Sequence, residues 1–221
     1  MTATGVRLPR PAWRAAAELA VAVAALSFHL WTDSRQIWGK PARAATTAGA
    51  VAALAVLLVR SRPSRADLGL APRSWTAGLG MLTFGTAAAA GAVFALGAGR
   101  PFSPLADLGY WAAQVFLLEG GQQLLLHALL RPRLDVLLPH RPRAAAVSAA
   151  ALFALLHLPN PLLVPTTFVA ALLWQAWFRR YRNLPALWAS HWALGAALFA
   201  AWDGPWLRRL RVGIAWCYPP S

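Results

Sequence analysis

The chain has 221 residues, 58% of them apolar and only 13% charged, which leaves too little polar surface to cover a water-soluble globule. Lys and Arg outnumber Asp and Glu by 21 to 7, for a net charge of +14. The arginines stand at the ends of apolar runs and form no polar stripe interleaved with aromatics, which argues against nucleic-acid binding and for basic loops beside membrane spans.

A bilayer core of roughly 30 Å needs about 20 apolar helical residues. Taken in chain order, the runs at 13–31, 44–59, 75–99, 108–130, 144–158, 161–178 and 185–202 predict seven helices. The first follows Arg7, Arg10 and Arg14 as a signal peptide would. It contains Glu18, however, and continues through Phe28, His29 and Trp31 without a small-residue cleavage site, so it reads as a retained anchor. Between the fifth and sixth runs lie only Pro159, Asn160 and Pro161, the signature of a tight helical hairpin or a broken helix. Trp13, Trp31, Trp38, Trp75, Trp111 and Trp206 fall near run ends, as an interfacial belt requires.

An inside N-terminus puts fourteen of the twenty-one basic residues on the cytoplasmic side: Arg7, Arg10, Arg14, Arg60, Arg62, Arg65, Arg73, Arg131, Arg133, Arg141, Arg143, Arg179, Arg180 and Arg182. The positive-inside rule favours that orientation. Arg208, Arg209 and Arg211 then fall outside, so either the segment from Trp206 to Trp216 lies along a membrane surface or one span is miscounted. With no internal repeat or linker, the whole chain reads as one all-α membrane domain, residues 1–221.

Two carboxylates fall inside the runs. Glu18 stands four residues after Arg14, where an i,i+4 ion pair forms readily, so its role reads as structural. Glu119 opens the stretch Glu119-Gly-Gly-Gln122-Gln123-Leu-Leu-Leu-His127. At 100° per residue Glu119, Gln123 and His127 form one ladder, with Gln122 beside it. Such a polar face must point into the bundle. It serves there either as an interhelical hydrogen-bond clamp, with Gly120 and Gly121 allowing close contact, or as part of a site. His157 closes the fifth run and His191 lies midway along the seventh. Either imidazole alone reads as a structural residue; together with Glu119 they suggest a site on three helices. A buried carboxylate with imidazoles suits amide hydrolysis, the acid as general base and the histidines holding water or an oxyanion. Cys217 has no Cys partner and no HExxH signature is present, so no cofactor is required by the sequence; a metal on the histidines and Glu119 is possible but not diagnosed.

These residues resemble the CPBP intramembrane endopeptidases, also called Abi or type II CAAX-processing proteases. Phe153-Ala-Leu-Leu-His157 fits that family's Phe-x-x-x-His motif, and the Leu-Pro-Asn160-Pro that follows is similar to many members. His191-Trp-Ala-Leu-Gly195 matches the His-x-x-x-Asn motif in its histidine only. Gln122-Gln123-Leu-Leu-Leu-His127 looks like the Glu-Glu-x-x-x-Arg motif with both acids amidated and the arginine replaced by histidine. The likeness covers roughly residues 60–213, with anchor helices at 13–59 before it. It implies an endopeptidase acting on a membrane-associated or lipidated peptide. The site would comprise Glu119, Gln122, Gln123, His157 and His191, with His127, Phe153 and Asn160 supporting. Because a carboxamide cannot take a proton, Glu119 is expected to supply the displaced base. The other expectation is a family member without activity, serving as a membrane scaffold or substrate-binding partner. High Ala, Arg and Leu content points to a GC-rich bacterial genome, hence a bacterial inner membrane, and argues against classical prenyl processing. A small transporter is the third and most distant reading, since it predicts inverted repeats and the sequence shows no internal repeat.

Overall fold

The protein is described here from a computed structural model, which covers residues 11–32, 35–70, 79–96, 116, 118–201 and 210–217. Every regular element among them is helical. We number these α1 (Ala12–Thr32), α2 (Arg35–Ser61), α3 (Leu79–Leu96), α4 (118–137), α5 (Pro142–Leu155), α6 (Leu163–Tyr181), α7 (Leu184–Ala201) and the short α8 (Ile214–Cys217). Two stretches, Ala12–Thr32 and Ala44–Ser61, are long and apolar enough to cross a membrane. Leu82–Leu96, Pro142–Leu155 and Leu184–Phe199 are shorter apolar helices. Helices thus stand in each of the seven expected runs with shifted ends, the second beginning earlier and the fourth running on to Leu137, but among the described residues only two of them have the length and apolarity of a membrane span. The parts of the runs at 75–78, 97–99, 108–115, 117 and 202, with Trp206, Arg208 and Arg209, lie outside the described residues.

Local chemistry explains the helix ends. Pro142 starts α5 at its first position, where a missing N–H costs nothing. Asn183 accepts the Ala186 N–H at 3.0 Å and caps α7, directly after Arg182 has closed α6 in a left-handed conformation (φ 50°). Gly69, at φ 65°, lies against that corner so closely that a Cβ would stand 2.0 Å from the Arg182 carbonyl oxygen. The α2–α3 loop and the α6–α7 turn therefore meet at one end of the bundle. At the other end the tail folds back: Gly213 N–H donates to Leu158 O at 2.6 Å, the Asn160 amide donates to Arg211 O at 3.0 Å, and a Cβ on Gly213 would strike Leu30 O. Of the two readings of the tail, its described part thus docks against the end of α1 and the α5–α6 turn.

α4 changes pitch. Residues 118–124 are α-helical, Leu125–Leu130 form a π-helical turn, and Arg131–Leu137 resume the α form. The cause is Arg131-Pro132-Arg133. Pro132 has no N–H for the carbonyl four residues back and would crowd it. The Arg131 N–H instead reaches Leu126 O, five residues back, and the Ala128 carbonyl that Pro132 cannot pair accepts from Arg133 Nη1 at 3.1 Å, as does Leu129 O.

Arg133 is fully buried, a correction to its sequence reading as a loop charge. Its Nη2 pairs with Glu18 Oε2 at 2.9 Å and donates to Ser61 Oγ at 2.7 Å, so a single guanidinium joins α1, α2 and α4. Glu18 also takes the expected contact from Arg14 Nε at 3.0 Å. Arg131 is likewise engaged, with Asp135, Gln175 and the Pro142 carbonyl. The apolar core lies between these clamps, with Leu126, Leu130, Ala149, Phe153, Ala171 and Leu187 almost entirely enclosed.

Breaking a buried ion pair from one side leaves its partner charge uncompensated, at a cost of about 3–5 kcal/mol. Glu18→Gln and Arg133→Met are each expected to lower the unfolding free energy by about that amount, read from denaturation in micelles. Near-native stability in either variant would show that the clamp is not structural.

Candidate active site

Helix α7 turns Leu184, Leu187, His191 and Gly195 inward, three or four residues apart, with Ser190 beside them. Ser190 is tied to α3 by a 2.6 Å hydroxyl contact with Thr86. His191 stands between the rings of Trp174 (4.4 Å between centroids) and Phe153 (6.2 Å), in apolar surroundings. Its two nitrogens both face α4. Gln123 Nε2 lies 3.1 Å from Nδ1, and Glu119 Oε2 lies 2.5 Å from Nε2.

One protonation pattern satisfies both contacts. The Gln123 amide N–H donates to Nδ1, so the ring proton sits on Nε2, the nitrogen nearer the carboxylate. Glu119 thus has an imidazole as its close neighbour in an apolar bundle, where a carboxylate needs a partner. Its second oxygen rests over Gly195, where a Cβ would stand 3.1 Å away. The glycine at the end of the His191 motif makes room for this carboxylate.

Gly120 plays a matching part on the other flank. A Cβ there would lie 2.3 Å from the Trp188 ring. The bare backbone instead lets the indole lie flat across α4, stacked on Phe116 at 4.6 Å with its N–H on the Phe116 carbonyl. Gly121, the other glycine of the stretch, meets nothing within 4 Å.

His157 approaches from the α5–α6 turn. Its ring lies 5.1 Å from Phe153, the same ring that flanks His191, and its Nδ1 donates to Phe153 O at 2.9 Å. The outward nitrogen, Nε2, is then a bare acceptor. Asn160 shapes the turn: fully buried, it accepts the Leu162 and Leu163 N–H groups at 3.1 and 3.0 Å and opens α6. Phe153 is the common wall between the two imidazoles, and Asn160 acts on the backbone that carries one of them.

The expected ladder divides at the π turn. Glu119 and Gln123 reach His191, whereas His127, beyond the change in pitch, packs its ring on Phe178 of α6 at 4.4 Å. It ties the helix to a neighbour and stands apart from the acid. Gln122 is half-buried, and its Oε1, like that of Gln123, is buried without a hydrogen-bond partner. Two carboxamide oxygens beside an acid–imidazole pair are acceptors that a water or a substrate N–H would satisfy. Sequence reasoning missed Trp174 and Trp188; no local signal marks which tryptophans of an apolar helix face a histidine. Among the described residues no three His, Cys, Asp or Glu side chains group as metal ligands. The acid and one imidazole fall short of the three protein ligands of a catalytic zinc site, so no step is assigned to a metal.

An acid, two amides and an imidazole thus gather inside an apolar bundle whose described elements are all helical. Residues 104–197, which hold all of these groups, match the family model described as Type II CAAX prenyl endopeptidase Rce1-like. That stretch is thus similar to an Rce1-like domain, consistent with the CPBP family. No curated protein matches the chain, and no solved structure does.

Gln123→Leu removes the donor to Nδ1 while keeping side-chain bulk, so the Nε2–H form of His191 should lose its preference. We expect the ¹⁵N signals of His191 to move toward a mixture of tautomers, with a stability loss of about 1–2 kcal/mol. An unchanged imidazole spectrum would show that Gln123 does not set the proton.

Proposed function

We propose that the protein is a CAAX-type intramembrane endopeptidase in which Glu119 activates water and His157, His191, Gln122 and Gln123 position it. The observation that carries this reading is the contact of Glu119 with His191, itself held by Gln123, next to unsatisfied amide oxygens. Glu119 takes a proton from water as its oxygen bonds to the scissile carbonyl carbon. His157 Nε2 accepts the second water hydrogen and fixes the direction of attack. The Gln122 amide donates to the carbonyl oxygen as charge develops there. When the C–N bond breaks, Glu119 returns its proton to the leaving amine. His191 holds the carboxylate in place between these transfers. The family's printed description suggests a prenylated CAAX tail as substrate; a membrane-associated peptide is the broader class.

The second reading, an inactive scaffold or substrate-binding partner, is favoured by one feature. Glu119 is only 6% exposed and lies between His191 and Gly195, as an interhelical clamp would. One variant separates the two. Glu119→Gln should lower cleavage of a fluorogenic prenylated CAAX peptide in proteoliposomes by about 10²–10⁴-fold, the usual contribution of a general base. Retained cleavage rejects Glu119 as the base, and a wild-type protein that turns over no peptide supports the scaffold.

We further propose seven spans with the N-terminus on the cytoplasmic side of a bacterial inner membrane. In support, the loops assigned to each side by charge meet in space: Gly69 with Arg182, and Leu30 with Leu158 and Gly213. The orientation puts Cys217, the single cysteine, outside, and its exposure makes it a reporter. A membrane-impermeant maleimide should label it in spheroplasts of intact cells; protection until lysis would reject this topology.

A further inference from the structure

A groove of about 610 Å³ runs between α1 and α2, on a part of the molecule that the proposed reaction does not use. Its lining is mostly small and apolar, with Ala17 and Val21 on α1 and Ala52, Ala53 and Val56 on α2. From the level of Trp13 and Arg60 to that of Val21 and Ala52 it extends about 12 Å, at 1.5 Å per helical residue. Arg14 and Arg60 stand towards one end and Glu18 about midway, and Trp13 at that end, 74% exposed, suits the depth of lipid headgroups.

The charge at that end is unbalanced. Glu18 is the one carboxylate of the groove, and it is already held by Arg14 at 3.0 Å and by the buried Arg133 at 2.9 Å. One negative charge thus faces two guanidiniums, and Arg60 adds a third, exposed to the surroundings. A site with cations at headgroup depth and a narrow apolar floor running away from them matches a molecule with a phosphate at one end and a hydrocarbon chain behind it. A plain apolar helix face would take any lipid tail equally; the surplus of arginines distinguishes this one.

We infer that the α1–α2 groove seats an anionic phospholipid, its phosphate at Arg14 and Arg60 and one acyl chain along Ala17, Ala52 and Ala53. The lipid would cover the outer side of the Glu18–Arg133 clamp, and so brace the anchor helices against the domain that carries the site.

The test uses the full chain purified in detergent and exposed to equimolar phosphatidylglycerol and phosphatidylcholine, with bound lipid counted by native mass spectrometry. Phosphatidylglycerol should be retained in preference. Arg60→Gln, at an exposed position outside the clamp, should reduce that preference about fivefold, the worth of one arginine near a membrane anion. Ala53→Phe, which leaves every charge in place and fills the floor, should abolish retention, and excess inorganic phosphate should not displace the lipid. Equal binding of the two lipids, unaltered retention in Ala53→Phe, or displacement by phosphate alone would each overturn the proposal. A thermal melt of each variant separates loss of the lipid from loss of the fold.

Discussion

A charged group enclosed by apolar helices must find its counter-group within the protein, since neither lipid tails nor a packed core can solvate it. The pair formed by Glu18 and Arg133 meets that demand, and much of the architecture follows from it. The guanidinium is drawn inward by the carboxylate and fully enclosed, and so it reaches the Ala128 carbonyl that Pro132 leaves open and the Leu129 carbonyl beside it. A proline that would otherwise break α4 is thereby tolerated, at the cost of a wider turn. The same side chain holds α1 and α2 against α4 through Glu18 and Ser61.

The π turn links this clamp to the site. An element with more residues per turn alters the direction of every side chain beyond it. Glu119 and Gln123, before the turn, face α7 and grip the two nitrogens of His191. His127, within it, faces Phe178 of α6. One helix thus serves two neighbours, with the acid and amide toward one and the imidazole toward the other. The conformation that Arg131-Pro132-Arg133 imposes therefore determines which polar groups of the stretch can act together.

Glycine makes the acid–imidazole contact possible from both sides. At Gly195 the absence of a Cβ leaves space for the Glu119 carboxylate, and at Gly120 it lets the Trp188 ring lie against α4. A side chain at Gly120 would push the Trp188 ring off α4, and one at Gly195 would make the carboxylate give way by a few tenths of an ångström. His157 is held differently, by a turn rather than a helix face. Asn160 gathers the backbone of that turn and the returning tail into one hydrogen-bonded unit, so irregular chain at the end of a short helix is left with its polar groups satisfied.

Composition alone determined that the chain is an all-helical, membrane-type protein, because 58% apolar content in long runs has few other solutions. The runs located the described helix ends to within a few residues, apart from the early start of α2 and the continuation of α4 to Leu137. Glu119, Gln123, His157 and His191 stood out as polar groups on apolar helices, and Arg14 with Glu18 as neighbours one turn apart, since both inferences need only helical periodicity. Tertiary structure decided the rest. Arg133 looked like a loop cation because local sequence does not show that a carboxylate 115 positions earlier will bury it. His127 left its ladder because angular arithmetic assumes one constant pitch. The fit of Gly195 to Glu119 depends on two helices meeting at a particular height. Periodicity along one helix tells which residues share a face; only packing between helices tells what that face meets.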